Sequence, residues 1–242
     1  MFYKKPVLLR SGPNARSGLT APNGYGFARG AVAVPIGVDE FPRAARHYPI
    51  MFVADDLVPV VVLGVNPGTN LFVEPDSSWR HGHYVPAYVR RYPFTLTAMP
   101  GCTEQMLAVD TASERFVRNV DRAEGASRFF DDEGQPTEMA CSAMACCQAY
   151  RDESQRAEAF AEALQQAEFL VRRPPATARL PDDSGFLNVD DQVFRKLTEL
   201  SVTRWQRDSW LLLMALAIAS ARNWPALVDL QRRRSTEQGE PD

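Results

Sequence analysis

The chain has 242 residues, with 27 Lys and Arg against 30 Asp and Glu, and its net charge of −3 lacks the basic footprint of a nucleic-acid binder. A hydrophobic content of 45% with 24% charged residues is ordinary globular usage, which excludes global disorder and leaves a sizeable core to bury. The charge is uneven: residues 1–100 hold ten Lys/Arg and six Asp/Glu, whereas residues 101–242 hold seventeen and twenty-four, an acidic excess that reads as solvated helix faces.

Residues 1–30 are rich in Gly, Pro, Asn and Ser, and predict an extended N-terminal arm with one short strand at Val7–Leu9. The start has no apolar stretch long enough for a secretory signal. Residues 31–233 predict a single α+β domain, with a β-rich half over 31–136, antiparallel or mixed, packed against a mainly helical half over 137–233. A disordered tail is expected over 234–242. Ala31–Ile36 is a strand candidate whose internal Pro35 makes it an edge or a bulge. Asp39 stands where it can cap a short helix. Leu57–Val65 and Thr69–Val73, joined by Asn66-Pro67-Gly68, predict a β-hairpin. Within it, Val58–Leu63 is apolar on both alternating faces and reads as a central strand covered on both sides.

Trp79–Tyr92 is a dense aromatic and cationic loop, Gln105–Asp110 a further strand, and Phe130–Gly134 a turn closing a polar stretch. Helical periodicity follows over Glu138–Tyr150 and Ser154–Val171, and stops at Arg172-Arg173-Pro174-Pro175. A strand pair is expected within Ala176–Val189, turned by Asp182–Gly185, and then a helix to Leu200 capped by Asp190 or Asp191. A long apolar helix from about Thr203 to Arg222 is broken at Asn223-Trp224-Pro225, and a last one runs to Arg233. Its apolar run, Trp210–Ala221, spans twelve residues and is too short to cross a bilayer. The cysteines, Cys102, Cys141, Cys146 and Cys147, are expected as free thiols in a cytoplasmic setting.

One signal occurs twice at a spacing of 44 residues, as Pro42, Arg46, Tyr48, Pro49 and again as Pro86, Arg90, Tyr92, Pro93. The first Pro suits the opening turn of a helix, and the second pushes the preceding Tyr out of the α region. Each copy then runs into an apolar strand, Ile50–Val53 and Phe94–Thr97. The pattern therefore encodes a one-turn helix, a sharp exit and a strand, twice. In this reading Arg46 and Arg90 stack on tyrosines and tie each short helix to a sheet.

These segments resemble the SapC family of bacterial proteins, distinct from the like-named peptide-transporter permease. The carrying residues are Glu40-Phe41-Pro42, Tyr48-Pro49-Ile50, Asn70–Val73, Trp79, the block Tyr84–Phe94 and the turn Phe130–Gly134. In the helical half they include Tyr150, Phe160, Gly185-Phe186 and Val189-Asp190. The resemblance implies an association with bacterial surface layers, and a setting beside TonB-dependent receptors, flavin-dependent halogenase-like enzymes and cupin-like oxygenases. No catalytic residues travel with its motifs.

Among candidate sites, His81-Gly82-His83 offers two imidazoles on one strand face, but lacks a nearby Glu, so loop histidines are the ordinary reading and no metal is expected. The cysteines lack paired C-x-x-C spacing. With no G-x-S-x-G, P-loop or G-x-G-x-x-G element, no cofactor is expected. Trp79, Tyr84, Tyr88 and Arg91 are the residue types in which interface energy concentrates, and the first, second and last are not duplicated at the 44-residue offset. They are the expected anchors for a protein or peptide partner. The function expected is thus a non-catalytic binding or accessory protein, which the resemblance links to cell-surface or TonB-dependent uptake systems. The alternative is an enzyme, or a subunit of one, acting with the flavin- or iron-dependent oxygenases.

Overall fold

The computed structural model describes residues 2–98, 105–172, 185–193, 197, 205–206 and 209–238. In chain order these form β1 (Pro6–Leu8), α1 (Ser11–Asn14), β2 (Gly18–Leu19), β3 (Ala33–Pro35), α2 (Phe41–Ala44), β4 (Ile50–Val53) and β5 (Pro59–Val62). The chain continues through α3 (Ala87–Arg90), β6 (Phe94–Ala98), β7 (Gln105–Asp110), β8 (Phe116–Val117), β9 (Ser127–Arg128) and α4 (Glu138–Gln166). It ends with β10 (Leu170–Val171), β11 (Phe186–Val189), α5 (Trp210–Ser220) and α6 (Trp224–Gln238). The fold is α+β, and every strand pairing among these elements is antiparallel.

The larger sheet has the order β10-β11-β4-β5-β3. Val60, Val61 and Val62 of β5 are all buried, as a strand apolar on both faces requires, and β4 and β3 take its two edges. Pro35 lies in edge strand β3, where its missing donor is tolerated. Because both edges of β5 are occupied, the hairpin expected between Leu57–Val65 and Thr69–Val73 does not form. After the Asn66-Pro67-Gly68 turn a single bond, Leu71 N–H to Leu63 O at 2.8 Å, survives of it. Buried Asn70 bends the segment away: its Oδ1 accepts from Phe72 N–H, and its Nδ2 donates to Ala28 O.

The expected N-terminal arm is also corrected, because β1 pairs with β7 and β2 lies between β8 and β9. The cause is long-range. The buried Asp110 carboxylate accepts the backbone N–H groups of Lys4 and Lys5 at 2.9 and 2.8 Å and stitches the first strand to β7.

The two helices expected over 138–171 are one, α4, started by Thr137, whose hydroxyl accepts from Ala140 N–H. At 1.5 Å per residue its 29 residues span about 43 Å, enough to serve two cores. Its first half gives Cys147 to a cluster with Leu9, Leu19, Phe94, Val109 and Phe129. Its second half gives Ala157, Phe160, Ala161 and Leu164 to the main core with Phe41, Phe52 and Val61. Asp39 does not cap α2; the capping position falls to Glu40.

The last helix runs on through Gln238, and Arg234 donates to Asn70 O and Val73 O at 2.7 and 3.0 Å, so the tail expected to be disordered from residue 234 is helical there. Trp210–Thr236 is long and apolar enough by composition to cross a membrane, but Leu213, Met214, Ala217 and Trp224 pack into the core. Phe186–Val189 is a strand as expected, while Ala176–Ser184, most of the helix expected up to Leu200, and Cys102 lie outside the described residues.

Candidate functional site

The two Pro-helices meet at one buried acid. Glu40 Oε1 accepts from Ala87 N–H at 2.7 Å and from the Tyr84 hydroxyl at 2.9 Å, and its Oε2 accepts from Gly37 N–H at 2.9 Å. Burial pushes the Glu40 carboxyl above the ordinary carboxylate range, and the three donors offset only part of that. Tyr84 is pushed up to about 12, first by burial and then by the Glu40 charge beside it. Arg90 donates to the Tyr84 hydroxyl at 3.2 Å and to Val85 O at 3.1 Å, completing an Arg–Tyr–Glu chain across the repeat.

The duplicated positions share local geometry but not environment. Tyr48 is fully buried; its hydroxyl donates to Tyr84 O and accepts from the Trp79 indole N–H at 3.1 Å. Tyr92 is half-buried and follows a different path, with a cis bond to Pro93. Arg90 lies over the Tyr84 ring at 5.8 Å, as expected of a tie; over that same ring lies Arg43 at 4.8 Å, while Arg46 is exposed. Pro49, Pro86 and Pro93 are buried, and Pro42 is exposed.

Of the expected partner anchors, Trp79 and Tyr88 are buried core residues, leaving the half-buried Tyr84 and Arg91 at the surface. Arg91 sits in a tyrosine cage, with its guanidinium 4.2 Å from the Tyr150 ring centroid, 4.9 Å from Tyr88 and 5.5 Å from Tyr3. Cation–π contacts of this kind contribute up to about 2 kcal/mol when desolvated. Cys147 lies against the same cage, and burial pushes its thiol up to about 11, so it stays protonated near neutral pH. Cys141 and Cys146 are free and exposed.

His81 is exposed. His83 meets His47 instead, at 5.2 Å between ring centroids. Burial, then His83 and Arg46, lower the His47 pKa. Among the described residues no three His, Cys, Asp or Glu side chains are grouped to hold a metal ion.

A second place was not legible in the sequence. A cavity of about 470 Å³ opens between the N-terminal segment, the 23–29 turn and the loop after β7. Phe2, Phe27 and Tyr92 form an aromatic wall, with Phe27 stacked on Tyr92 at 4.1 Å; Lys4, Arg29 and Arg115 line the remainder. The wall is closed by close backbone approach. Gly24 has φ +91°, and a Cβ there would meet Ser77 O at 2.5 Å, while one on Gly26 would meet Ser77 Oγ at 2.9 Å. The sequence showed only two glycines flanking Tyr25.

Compared with known proteins, residues 14–227 match the family model described as SapC. No curated protein and no solved structure matches the chain.

Proposed function

The chain belongs to the SapC family, and from that premise we propose that it acts as a non-catalytic accessory protein that docks a protein partner in a cell-surface or TonB-dependent uptake system. The observation that carries the docking is the outer face of α5. This helix has no charged residue, and although Leu213, Met214 and Ala217 face the core, Leu212 is 56% exposed and is continued by exposed Ala215 and Ala219. Isolated exposed apolar residues are ordinary, but a strip on one uncharged helix fits a partner's apolar surface.

Packing favours a protein over a bilayer: Leu213, Met214, Ala217 and Trp224 are held in the core, so only one strip of the Trp210–Thr236 run is open to a partner. The uncharged strip itself ends at Arg222, where the charges of the following turn and of α6 begin. The test is capture from the protein's own cells with the native chain and with Leu212→Asp. A folded Leu212→Asp chain should lose the captured partner, with a melting temperature close to that of the native chain. Full capture by that variant would place docking elsewhere, and transfer of the native chain to lipid vesicles in preference to protein would overturn the partner class.

A further inference from the structure

We propose that the cavity between the N-terminal segment and the loop after β7 binds a small organic anion, one that carries a carboxylate or phosphate on a flat apolar body. The volume, about 470 Å³, is within the range of small-molecule sites. Three cationic side chains, Lys4, Arg29 and Arg115, line it against one carboxylate, Glu114, whose Oε2 already accepts from Asn23 Nδ2 at 3.3 Å.

The buried Asp110 beneath adds a second carboxylate, which leaves three cations against two acids. Its oxygens accept from Lys4, Lys5 and Ala112 N–H and from the Tyr92 hydroxyl, so it is satisfied from below and holds the cavity's two edges together. Arg29 is fixed by bonds to Glu74 O, Pro75 O and Ser77 Oγ. Arg115 donates its Nε–H to Thr20 O at 3.1 Å, and its terminal amino groups have no hydrogen bond to the described residues. That leaves a guanidinium held at one end and open at the other. Burial also lowers its pKa, so a bound anion would relieve a cost already present. Opposite these cations, the stacked Phe27 and Tyr92 rings, with Phe2 edge-on at 5.3 Å to Phe27, offer an apolar wall for a planar body.

Calorimetric titration of the full chain with phenyl phosphate and with benzoate, against neutral benzamide and inorganic phosphate, tests both halves of the proposal. At least one aromatic anion should bind about tenfold more tightly than benzamide and more tightly than inorganic phosphate. The order of phenyl phosphate and benzoate distinguishes a phosphate ligand from a carboxylate one. Arg115→Gln should weaken the preferred anion about tenfold. Lys4→Gln, which removes an ammonium with no hydrogen-bond partner among the described residues, should weaken it about threefold and keeps the test decisive if Arg115→Gln fails to fold. Equal binding of benzamide, no anion binding at about 10 mM, or unchanged affinity in folded Lys4→Gln and Arg115→Gln chains would overturn the proposal.

Discussion

At the scale of single residues, the buried polar groups of the repeat carry the sharpest consequences. Tyr48→Phe keeps the ring but leaves the Trp79 N–H and Tyr84 O without their partner, a loss of about 1–3 kcal/mol. Tyr48→Ala adds a cavity and should cost about 3–5 kcal/mol. Denaturant unfolding measures both, and a Tyr48→Phe chain as stable as the native one would mean that the hydroxyl does nothing. Glu40 makes a prediction in pH. Its folded-state pKa is raised above the ordinary 4.5, so the fold binds this proton more tightly than the unfolded chain does. The stabilising contribution is complete below about pH 4.5 and is lost as pH rises through the raised value. Stability of the native chain relative to Glu40→Gln should therefore fall over the window that opens as pH rises above about 4.5. A difference that stays level or grows over that window would contradict the burial argument.

At the scale of elements, the last helix is the revealing one. Arg234 ties α6 to the carbonyls of Asn70 and Val73, in the segment that left the sheet where a hairpin was expected. Arg234→Ala should leave those acceptors poorly satisfied and cost about 1–3 kcal/mol, while Arg233→Ala, at an exposed neighbour, should stay within about 0.5 kcal/mol of native. If the two variants unfold alike, α6 does not brace that segment. The short Pro-helices show the same dependence on distant partners. Ala87 N–H at the start of α3 finds its acceptor in Glu40 of the other copy, and Asn223 Nδ2 binds Ala45 O and Tyr48 O at the exit of α2. A four-residue helix has too few internal bonds to persist alone, so these outside contacts stabilise it.

For the molecule as a whole, the first strand couples the sheets and the cavity. Removing residues 2–10 takes away β1, the Phe2 and Tyr3 rings and buried Leu9, and strips the Lys4 and Lys5 donors from Asp110. The expected loss is at least about 3–5 kcal/mol, with amide exchange accelerated most along β7. Unchanged protection of β7 would mean that the N-terminal segment is an appendage after all.

The sequence by itself determined what neighbours in the chain decide. Pro42, Pro49, Pro86 and Pro93 restrict adjacent φ and ψ, and so wrote the two short helices and their exits. The valines at 60–62 required cover on both faces, and the period of Phe160, Leu164 and Ala167 required a helix against a core. The α+β class followed from those patterns, while the SapC resemblance rested on particular residues, above all the block Tyr84–Phe94. Tertiary structure decided which groups met. Strand Thr69–Val73 was lost because β3 had already taken the edge of β5, a competition that no local pattern records. Trp79 was drawn inward by the Tyr48 hydroxyl, and Lys4, Arg29 and Arg115 converged from three separate stretches. Charges and hydrogen-bond donors act through space, and their partners are chosen only once the chain has closed on itself.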